Sequence, residues 1–307
     1  MSYRLKQDET ISDGIKRIVV EQIDKAVAGL ESPHGSHDDA IHDARVCLKK
    51  IRAVLRLVRS EFDPDIFRQE NMSYRDSGRH LSALRDAAAM RETLDKLTDR
   101  FADQLAPNAF AELDHSLRQS STAQRQEKKK AMLAVAKSLG TARRRVEHWP
   151  IQQEGFSALE QGVKQVYKQG RQSFADAVAQ PSVENFHEWR KDVKYLRYQI
   201  RILKPIWSTM LGRLEDELET LGEYLSEDHD LALLRQRVLE PAEPTDNRLD
   251  SEALIALIDR RRGELQVEAK LLGDRVYAEK PGAFSARLGV YWQAWRSDRH
   301  IDPIAVS

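Results

Sequence analysis

The sequence predicts an all-α protein made of two four-helix bundles that are related by internal duplication and an approximate twofold axis. Apolar residues recur at the three- and four-residue spacing of an α-helix through most of the chain. Convincing β alternation and the hairpin dipeptide Asn-Gly are missing from it. One pattern of basic residues occurs twice, first from His42 and again from His187. Together these observations favour repeated helical bundles with a basic groove or pore at the centre.

Prolines mark the ends of the predicted helices, because an α-helix tolerates proline in its first turn but not in its interior. The first unit, residues 1–150, is predicted to contain helices at 12–30, 38–61, 64–103 and 107–147. The second unit, residues 151–307, is predicted to contain helices at 156–179, 182–205, 208–239 and 249–279, and a short last helix at 283–297. The prolines near these breaks are Pro33, Pro64, Pro107, Pro150, Pro181, Pro205, Pro241 and Pro281.

Composition limits the function only weakly. The 307 residues include 49 Lys plus Arg and 49 Asp plus Glu, so any preference for an anionic partner must come from local arrangement of charge. The single cysteine, Cys47, excludes an internal disulfide and is typical of a reducing compartment. The N-terminus lacks an apolar signal core, and no segment approaches the roughly 20 apolar residues of a membrane span. We therefore expect a cytoplasmic protein without a membrane partner.

The repeated pattern has the spacing of one helix face. Its first copy is His42, Arg45, Lys49, Arg52 and Arg56, and its second copy is His187, Arg190, Lys194, Arg197 and Arg201. The five residues shared by the two segments are all basic, whereas the apolar neighbours keep only their character. On a helix the five form a stripe about 80° wide and about 21 Å long. One phosphate cannot use a row of that length, but an extended polyanion can.

Other segments repeat in the same order along the chain. Gly14-Ile15-Lys16 matches Gly162-Val163-Lys164, and Leu81-Ser82-x-x-Arg85-Asp86 matches Leu225-Ser226-x-x-His229-Asp230. Lys128-Lys129 followed by Lys137 matches Arg261-Arg262 followed by Lys270. The duplication therefore covers all four helices of each half, and the two basic helices could face each other across the junction.

These residues resemble the CHAD family, an α-helical family named for its conserved histidines. The resemblance covers the chain from about Ser12 to about Arg296, and its specific part is the paired His-x-x-Arg-x-x-x-Lys-x-x-Arg helices. It implies a basic central groove or pore that binds inorganic polyphosphate. The chain looks like a stand-alone member, without a fused CYTH triphosphatase domain, and such members are associated with polyphosphate granules. Ser82 and Ser226 stand where the family usually has glycine.

Both rows suit polyphosphate chemically, because arginine can grip two phosphate oxygens and lysine adds a compact charge. We expect polyphosphate contacts from His42, Arg45, Lys49, Arg52, Arg56, His187, Arg190, Lys194, Arg197 and Arg201. Secondary contacts are expected from Lys16, Lys164, Lys128, Lys129, Lys137, Arg261, Arg262 and Lys270. A nearby polyanion favours imidazolium, so acid should favour binding through the two histidines. No cofactor is expected.

Simpler structural roles are expected for several other residues. Arg85, Asp86 and Asp230 are interpreted as helix-to-helix hydrogen-bonding residues. Trp189, Tyr195 and Tyr198 are expected to pack in the core or at its rim, and Trp292 and Trp295 to hold the last helix. The histidines and aspartates between His34 and His42 match no closed zinc pattern, so no metal site is predicted. Ser36 is a candidate helix cap there.

The leading hypothesis is polyphosphate binding without catalysis, since no nucleophile–base pair or phosphate-binding loop is present. One alternative is a phosphoryl-transfer or phosphohydrolase enzyme that uses His42 or His187. Another is nucleic-acid binding, which we consider the weaker because no recognition motif accompanies the rows. Polyphosphate-granule proteins are possible further partners.

Overall fold

The computed structural model describes residues 3–82, 86–105, 110–122, 125–239 and 248–297, and these ranges are helical without any β-strand. The all-α prediction is therefore confirmed. The α-helices are α1 (Ile11–Glu31), α2 (His37–Leu57), α3 (Pro64–Ser82), α4 (Asp86–Arg100), α5 (Ala111–Thr122), α6 (Arg125–Val146), α7 (Ser157–Ala179), α8 (Val183–Leu203), α9 (Ser208–Leu239), α10 (Arg248–Val276) and α11 (Pro281–Ser297). Three short 3₁₀ helices are η1 (Arg59–Glu61), η2 (Ala102–Gln104) and η3 (Lys204–Trp207).

The predicted helices correspond closely to the observed ones in the second half, where α9 has the predicted bounds. In the first half, the predicted third helix corresponds to α3 and α4 and the predicted fourth helix to α5 and α6. Residues 83–85 and 123–124, between the members of each pair, lie outside the described ranges. Before α5, Phe110 has a φ of 65°, so this helix starts later than predicted.

Serine caps begin both basic helices. The Ser36 hydroxyl accepts a hydrogen bond from the backbone N–H of Asp39 at 3.1 Å, which confirms Ser36 as the cap of α2. The Ser182 hydroxyl accepts one from the N–H of Asn185 at 3.1 Å and caps α8. Each cap satisfies a donor that the first helical turn leaves without a partner. Local sequence therefore sets where each row of basic residues starts.

The main hydrophobic core draws side chains from both halves of the chain. In the first half α1 packs against α2 and α6, and α2 packs against α3. In the second half α7 packs against α8 and α11, and α8 packs against α9. Trp189, Tyr74 and Tyr167 are among the largest side chains that are fully buried there. The division at residue 150 and the duplication itself stay predictions, because one core serves both halves.

Direct contact between the halves is made by α2, which packs against both α7 and α8. Gln199 of α8 is fully buried, and its Nε2 donates a hydrogen bond to the carbonyl of Ala53 at 3.3 Å. At Gly162 of α7, a Cβ would lie 1.9 Å from the carbonyl oxygen of Leu57. Such a close helix approach requires glycine at this position. The glycine brings α7 against the C-terminal end of α2.

A second, smaller core joins α4 and α5 of the first half to α9 and α10 of the second. Its buried residues are Leu94, Leu97, Phe101, Phe110, Leu117, Leu231, Leu234, Leu254, Ile258 and Leu265. The two halves are thus packed together at a second place, away from the α2–α8 contact.

Candidate functional site

The basic residues predicted from the repeat lie on two helices that touch. We call His42, Arg45, Lys49, Arg52 and Arg56 the first row, and His187, Arg190, Lys194, Arg197 and Arg201 the second row. The first row lies on α2 and the second row on α8, and these helices pack directly against each other. His42 is exposed, whereas the other nine side chains are partly buried. The structure therefore places all ten primary candidates on two helices that are in contact.

Cations of the two rows approach each other near the middle of this contact. Burial lowers the pKa of Lys194 well below its ordinary value, and the charges of Arg190 and Lys49 lower it further. Burial also lowers the pKa of Arg190. The carboxylate of Asp230 on α9 raises the pKa of both groups, but the pKa of Lys194 remains well below its ordinary value. The positive charges of Lys49, Arg190 and Lys194 thus lie close enough to repel one another, and a bound anion would relieve that repulsion.

The C-terminal end of the first row is held by neutral groups. Arg52 Nε and Arg56 Nη1 both donate to Oδ1 of Asn71 on α3, at 3.1 and 3.0 Å. The Arg56 guanidinium lies 4.0 Å from the ring centroid of Tyr195, a cation–π contact from α2 to α8. Burial lowers the pKa of both arginines. Among the described residues neither one forms an ion pair, so both keep their charge available to a ligand.

The corresponding end of the second row is held by carboxylates of α9. Arg197 Nη2 donates to Oε1 of Glu219. Arg201 Nε lies 3.5 Å from Oε1 of Glu215, whose Oε2 accepts a hydrogen bond from Lys204 at 2.8 Å. These contacts neutralise part of the second row before any ligand arrives. The two rows are therefore unequal, although their sequences repeat.

The third helices explain this inequality. When Leu81 is aligned with Leu225, three positions of α3 that carry no negative charge correspond to three glutamates of α9. They are Asn71, Arg75 and Arg79 in α3 and Glu215, Glu219 and Glu223 in α9. Arg75 and Arg79 lie close enough to Arg52 to lower its pKa. The repeated basic pattern does not include either arginine. Aligning the third helices so that Leu81 matches Leu225 would have found both.

Two histidines lie together at the N-terminal end of the second row. The ring centroids of His187 and His229 are 4.5 Å apart, and both Nδ1 atoms are buried without a hydrogen-bond partner. Burial, together with the charge of Arg190, lowers the pKa of His187 and brings that of His229 to about 3. Both rings are therefore neutral at neutral pH. The sequence pattern did not indicate the pairing, and Arg85, the counterpart of His229, lies outside the described residues.

The secondary candidates divide into two groups. Lys128 is buried with its Nζ 2.7 Å from Asp38, Arg261 pairs with Glu227 at 2.6 Å, and Arg262 pairs with Asp228 at 3.0 Å. These three charges hold helices together. Lys16 is partly buried, and the exposed members of the second group are Lys129, Lys137, Lys164 and Lys270. A ligand role for any of the eight stays a prediction.

The structure also places the residues expected to have packing roles. Trp189, Tyr195 and Tyr198 are buried in the main core, as predicted, and Tyr195 also lies beneath Arg56. Ser226 accepts a hydrogen bond from Arg190 Nε at 3.1 Å. The serine hydroxyl gives Arg190 a fixed neighbour that glycine could not supply.

Trp292 is buried against Phe156 and Trp295, with ring centroids 6.3 and 5.2 Å apart, and so attaches α11 to the core. Within the described ranges, no three His, Cys, Asp or Glu side chains are arranged to hold a metal ion. None of the helices there combines the length and apolar character that a membrane crossing needs.

A family model described as the CHAD domain matches residues 17–271. The chain belongs to the CHAD family. Polyphosphate binding is the known role of CHAD domains. No curated protein sequence matches the chain.

Two solved structures share the CHAD fold of this chain. PptA from Streptomyces chartreusis is 14% identical over 88% of this chain and 100% of that chain, with a TM-score of 0.57. The CHAD domain from the plant Ricinus communis is 18% identical over 94% of each chain, with a TM-score of 0.56. At these identities the likeness shows the fold, so the site must be argued from the residues of this chain.

Proposed function

We propose that this CHAD protein binds inorganic polyphosphate through the first and second rows and catalyses no reaction on it. The observation that carries the proposal is the cluster of Lys49, Arg190 and Lys194 at the α2–α8 contact. Burial and like charge lower the pKa of Lys194 there. A strand of phosphates would offset this charge with one negative charge per internal unit, and so gain binding energy where cations of the free protein repel one another.

The shape of the site supports an extended ligand. Each row runs along its helix for about 21 Å, so its cations can contact successive phosphates of one strand. Affinity would come from the sum of many exchangeable contacts, and by analogy with nucleic acids it should fall steeply as salt rises. Because neither Arg52 nor Arg56 forms an ion pair among the described residues and Arg197 forms one with Glu219, these two arginines of the first row contribute more than Arg197 does.

A binding role rather than catalysis is supported by the environment of the histidines. His187 has a buried Nδ1 and a lowered pKa, so it is a poor proton donor at neutral pH. The groups whose charge lowers that pKa include Arg190, Lys191 and Lys194. The guanidinium of Arg190 can hold phosphate but cannot activate water by taking a proton from it. We further propose that the protein is cytoplasmic and associates with polyphosphate granules.

The proposal is tested by calorimetric titration of the whole chain with long-chain polyphosphate, inorganic triphosphate and RNA, each at two salt concentrations. Phosphate release is measured in the same samples. Tight, salt-sensitive binding of long-chain polyphosphate without release of phosphate supports the proposal. Equal binding of all three ligands indicates a general anion-binding surface, displacement of polyphosphate by RNA at equal phosphate concentration indicates nucleic-acid binding, and phosphate release indicates an enzyme. Each of these last three results rejects it.

A further inference from the structure

A cavity of about 600 Å³ opens at the C-terminal end of the first row. It lies between the end of α2, the following η1, the start of α3 and one face of α7. Six polar side chains line it: Arg56, Arg59, Ser60, Gln161, Gln165 and Gln169. None of the lining residues is acidic, and all six polar side chains can donate a hydrogen bond. Such a lining is suited to an oxyanion.

The two arginines of the cavity keep their charge available. Arg59 lies with its guanidinium carbon 4.8 Å from the ring centroid of Phe67, and Arg56 lies over Tyr195. Neither forms an ion pair with a carboxylate of the described residues. Stacking on an aromatic face orients a guanidinium and leaves its edge accessible. Arg56 uses Nη1 for Asn71 and for the Arg52 carbonyl, and its other N–H groups donate to no described residue.

The opposite wall carries neutral donors on one helix face. Gln161, Gln165 and Gln169 follow one another at intervals of four residues on α7, so their side chains share a face. Their amides form no hydrogen bond with another described residue. Together with the arginines they could donate to several oxygens of one phosphate group without bringing a negative charge near it.

Arg56 belongs both to the first row and to the cavity, so a strand lying along the first row reaches the cavity at its end. An internal unit of polyphosphate carries one negative charge, whereas a terminal phosphate has a second ionisation near pH 6, as phosphate monoesters do. The second charge matches the second arginine, Arg59. We propose that this cavity binds the terminal phosphate of a polyphosphate strand whose following units lie along the first row. The proposal rests on the proposed function.

The experiment compares two forms of one polyphosphate of defined length, in calorimetric titrations of the whole chain. One form has free ends. The other carries a methyl ester on each terminal phosphate, which removes one charge per end and leaves the internal units unchanged. The proteins are wild type, the cavity variant Gln165→Glu, and the control variant Gln293→Glu. Gln165 and Gln293 are both exposed helical glutamines, but Gln293 lies on α11 and does not line the cavity.

For wild type and the control variant, we expect the esterified strand to bind about tenfold more weakly than the strand with free ends, because it loses one charge-assisted contact. For Gln165→Glu, the two forms should bind alike, because the new carboxylate repels the second charge of the terminus. Equal binding of the two forms by wild type overturns the terminal site and leaves the proposed function standing. Absence of binding by either form overturns the proposed function, and the terminal site with it.

A competition arm separates a strand terminus from a small organic phosphate. Phenyl phosphate offers a dianionic phosphate and a ring for the apolar part of the cavity, which includes Phe62 and Phe67. If free-ended polyphosphate displaces phenyl phosphate and the esterified strand does not, the terminal assignment is supported. If neither strand displaces it, the cavity is a site for small phosphorylated molecules and the assignment is overturned.

Discussion

Replacing Glu219 with glutamine should tighten polyphosphate binding. In the free protein the Glu219 carboxylate accepts a hydrogen bond from Arg197, which occupies one cation of the second row. The variant keeps a side chain of the same shape that can still accept this hydrogen bond, but it removes the negative charge. Arg197 then becomes more available to phosphate, and the ligand no longer meets a carboxylate beside it.

The size of the effect follows from the exposure of the pair. The side chains of Arg197 and Glu219 are 20% and 46% exposed, so solvent screens their attraction. Ion pairs of this kind contribute about 0.2–1 kcal/mol. Repulsion between the carboxylate and a phosphate about 7 Å away adds about 0.6 kcal/mol in water. Together they predict a gain of about 1 kcal/mol, or about fivefold in affinity.

The assay is calorimetric titration with long-chain polyphosphate at moderate salt, with Glu217→Gln as the matched control. Glu217 is exposed on the same helix and loses the same charge, but forms no ion pair with either row. Equal gains in the two variants would show that only net charge matters. An unchanged or weaker affinity of Glu219→Gln, with unfolding temperature preserved, would refute the inequality of the rows.

Three further outcomes are expected. Ser226→Ala removes the hydroxyl that accepts a hydrogen bond from Arg190, so it should weaken polyphosphate binding about threefold. In Ser82→Ala the hydrogen bond lost among the described residues is the one to the carbonyl of Gly78, so this control should bind polyphosphate as wild type does. Calorimetric titration measures both affinities. Gly162→Ala places a Cβ against the Leu57 carbonyl and should lower the free energy of unfolding by about 1–3 kcal/mol in denaturant titrations. Gly29 has open space around it, so the control Gly29→Ala should raise the free energy of unfolding slightly. His229 has a pKa of about 3 in the folded protein and 6.5 as its ordinary value, so the unfolded chain binds the extra proton and the free energy of unfolding should fall as pH drops from 6.5 toward 3. His229→Asn should make this fall with pH less steep. An identical slope for the variant and wild type in denaturant titrations would contradict the buried, neutral ring.

Local periodicity carries most of what could be predicted from the sequence. Steps of three and four residues placed both rows on single helix faces, and α2 and α8 have those faces. The Ser36 cap was also predictable, since a serine before a helical pattern satisfies a nearby N–H within its own segment. These features depend on residues a few positions apart, so the sequence alone contains them.

Apart from the contact between the two basic helices, the features that depend on contacts between helices were not predicted. Glu215 and Glu219 neutralise the second row from a different helix, and His229 meets His187 across the same α8–α9 contact. The cavity needs the end of α2 and one face of α7 together, which becomes visible only when Gly162 brings these helices into contact. The repeated motif therefore gave no sign that the rows are unequal, because the neighbours that make them unequal differ between the halves.

The central claim is that cations of both rows at the α2–α8 contact bind polyphosphate. Its most direct test is the affinity of the double variant Lys49→Glu, Lys194→Glu for long-chain polyphosphate at moderate salt. The matched control is Lys168→Glu, Lys280→Glu, which reverses the same charge at two exposed lysines outside the rows. We predict that the first pair abolishes binding while circular dichroism shows a folded chain, and that the control pair binds nearly as wild type does. Polyphosphate binding that survives reversal of Lys49 and Lys194, or that falls equally in the control, would contradict the account.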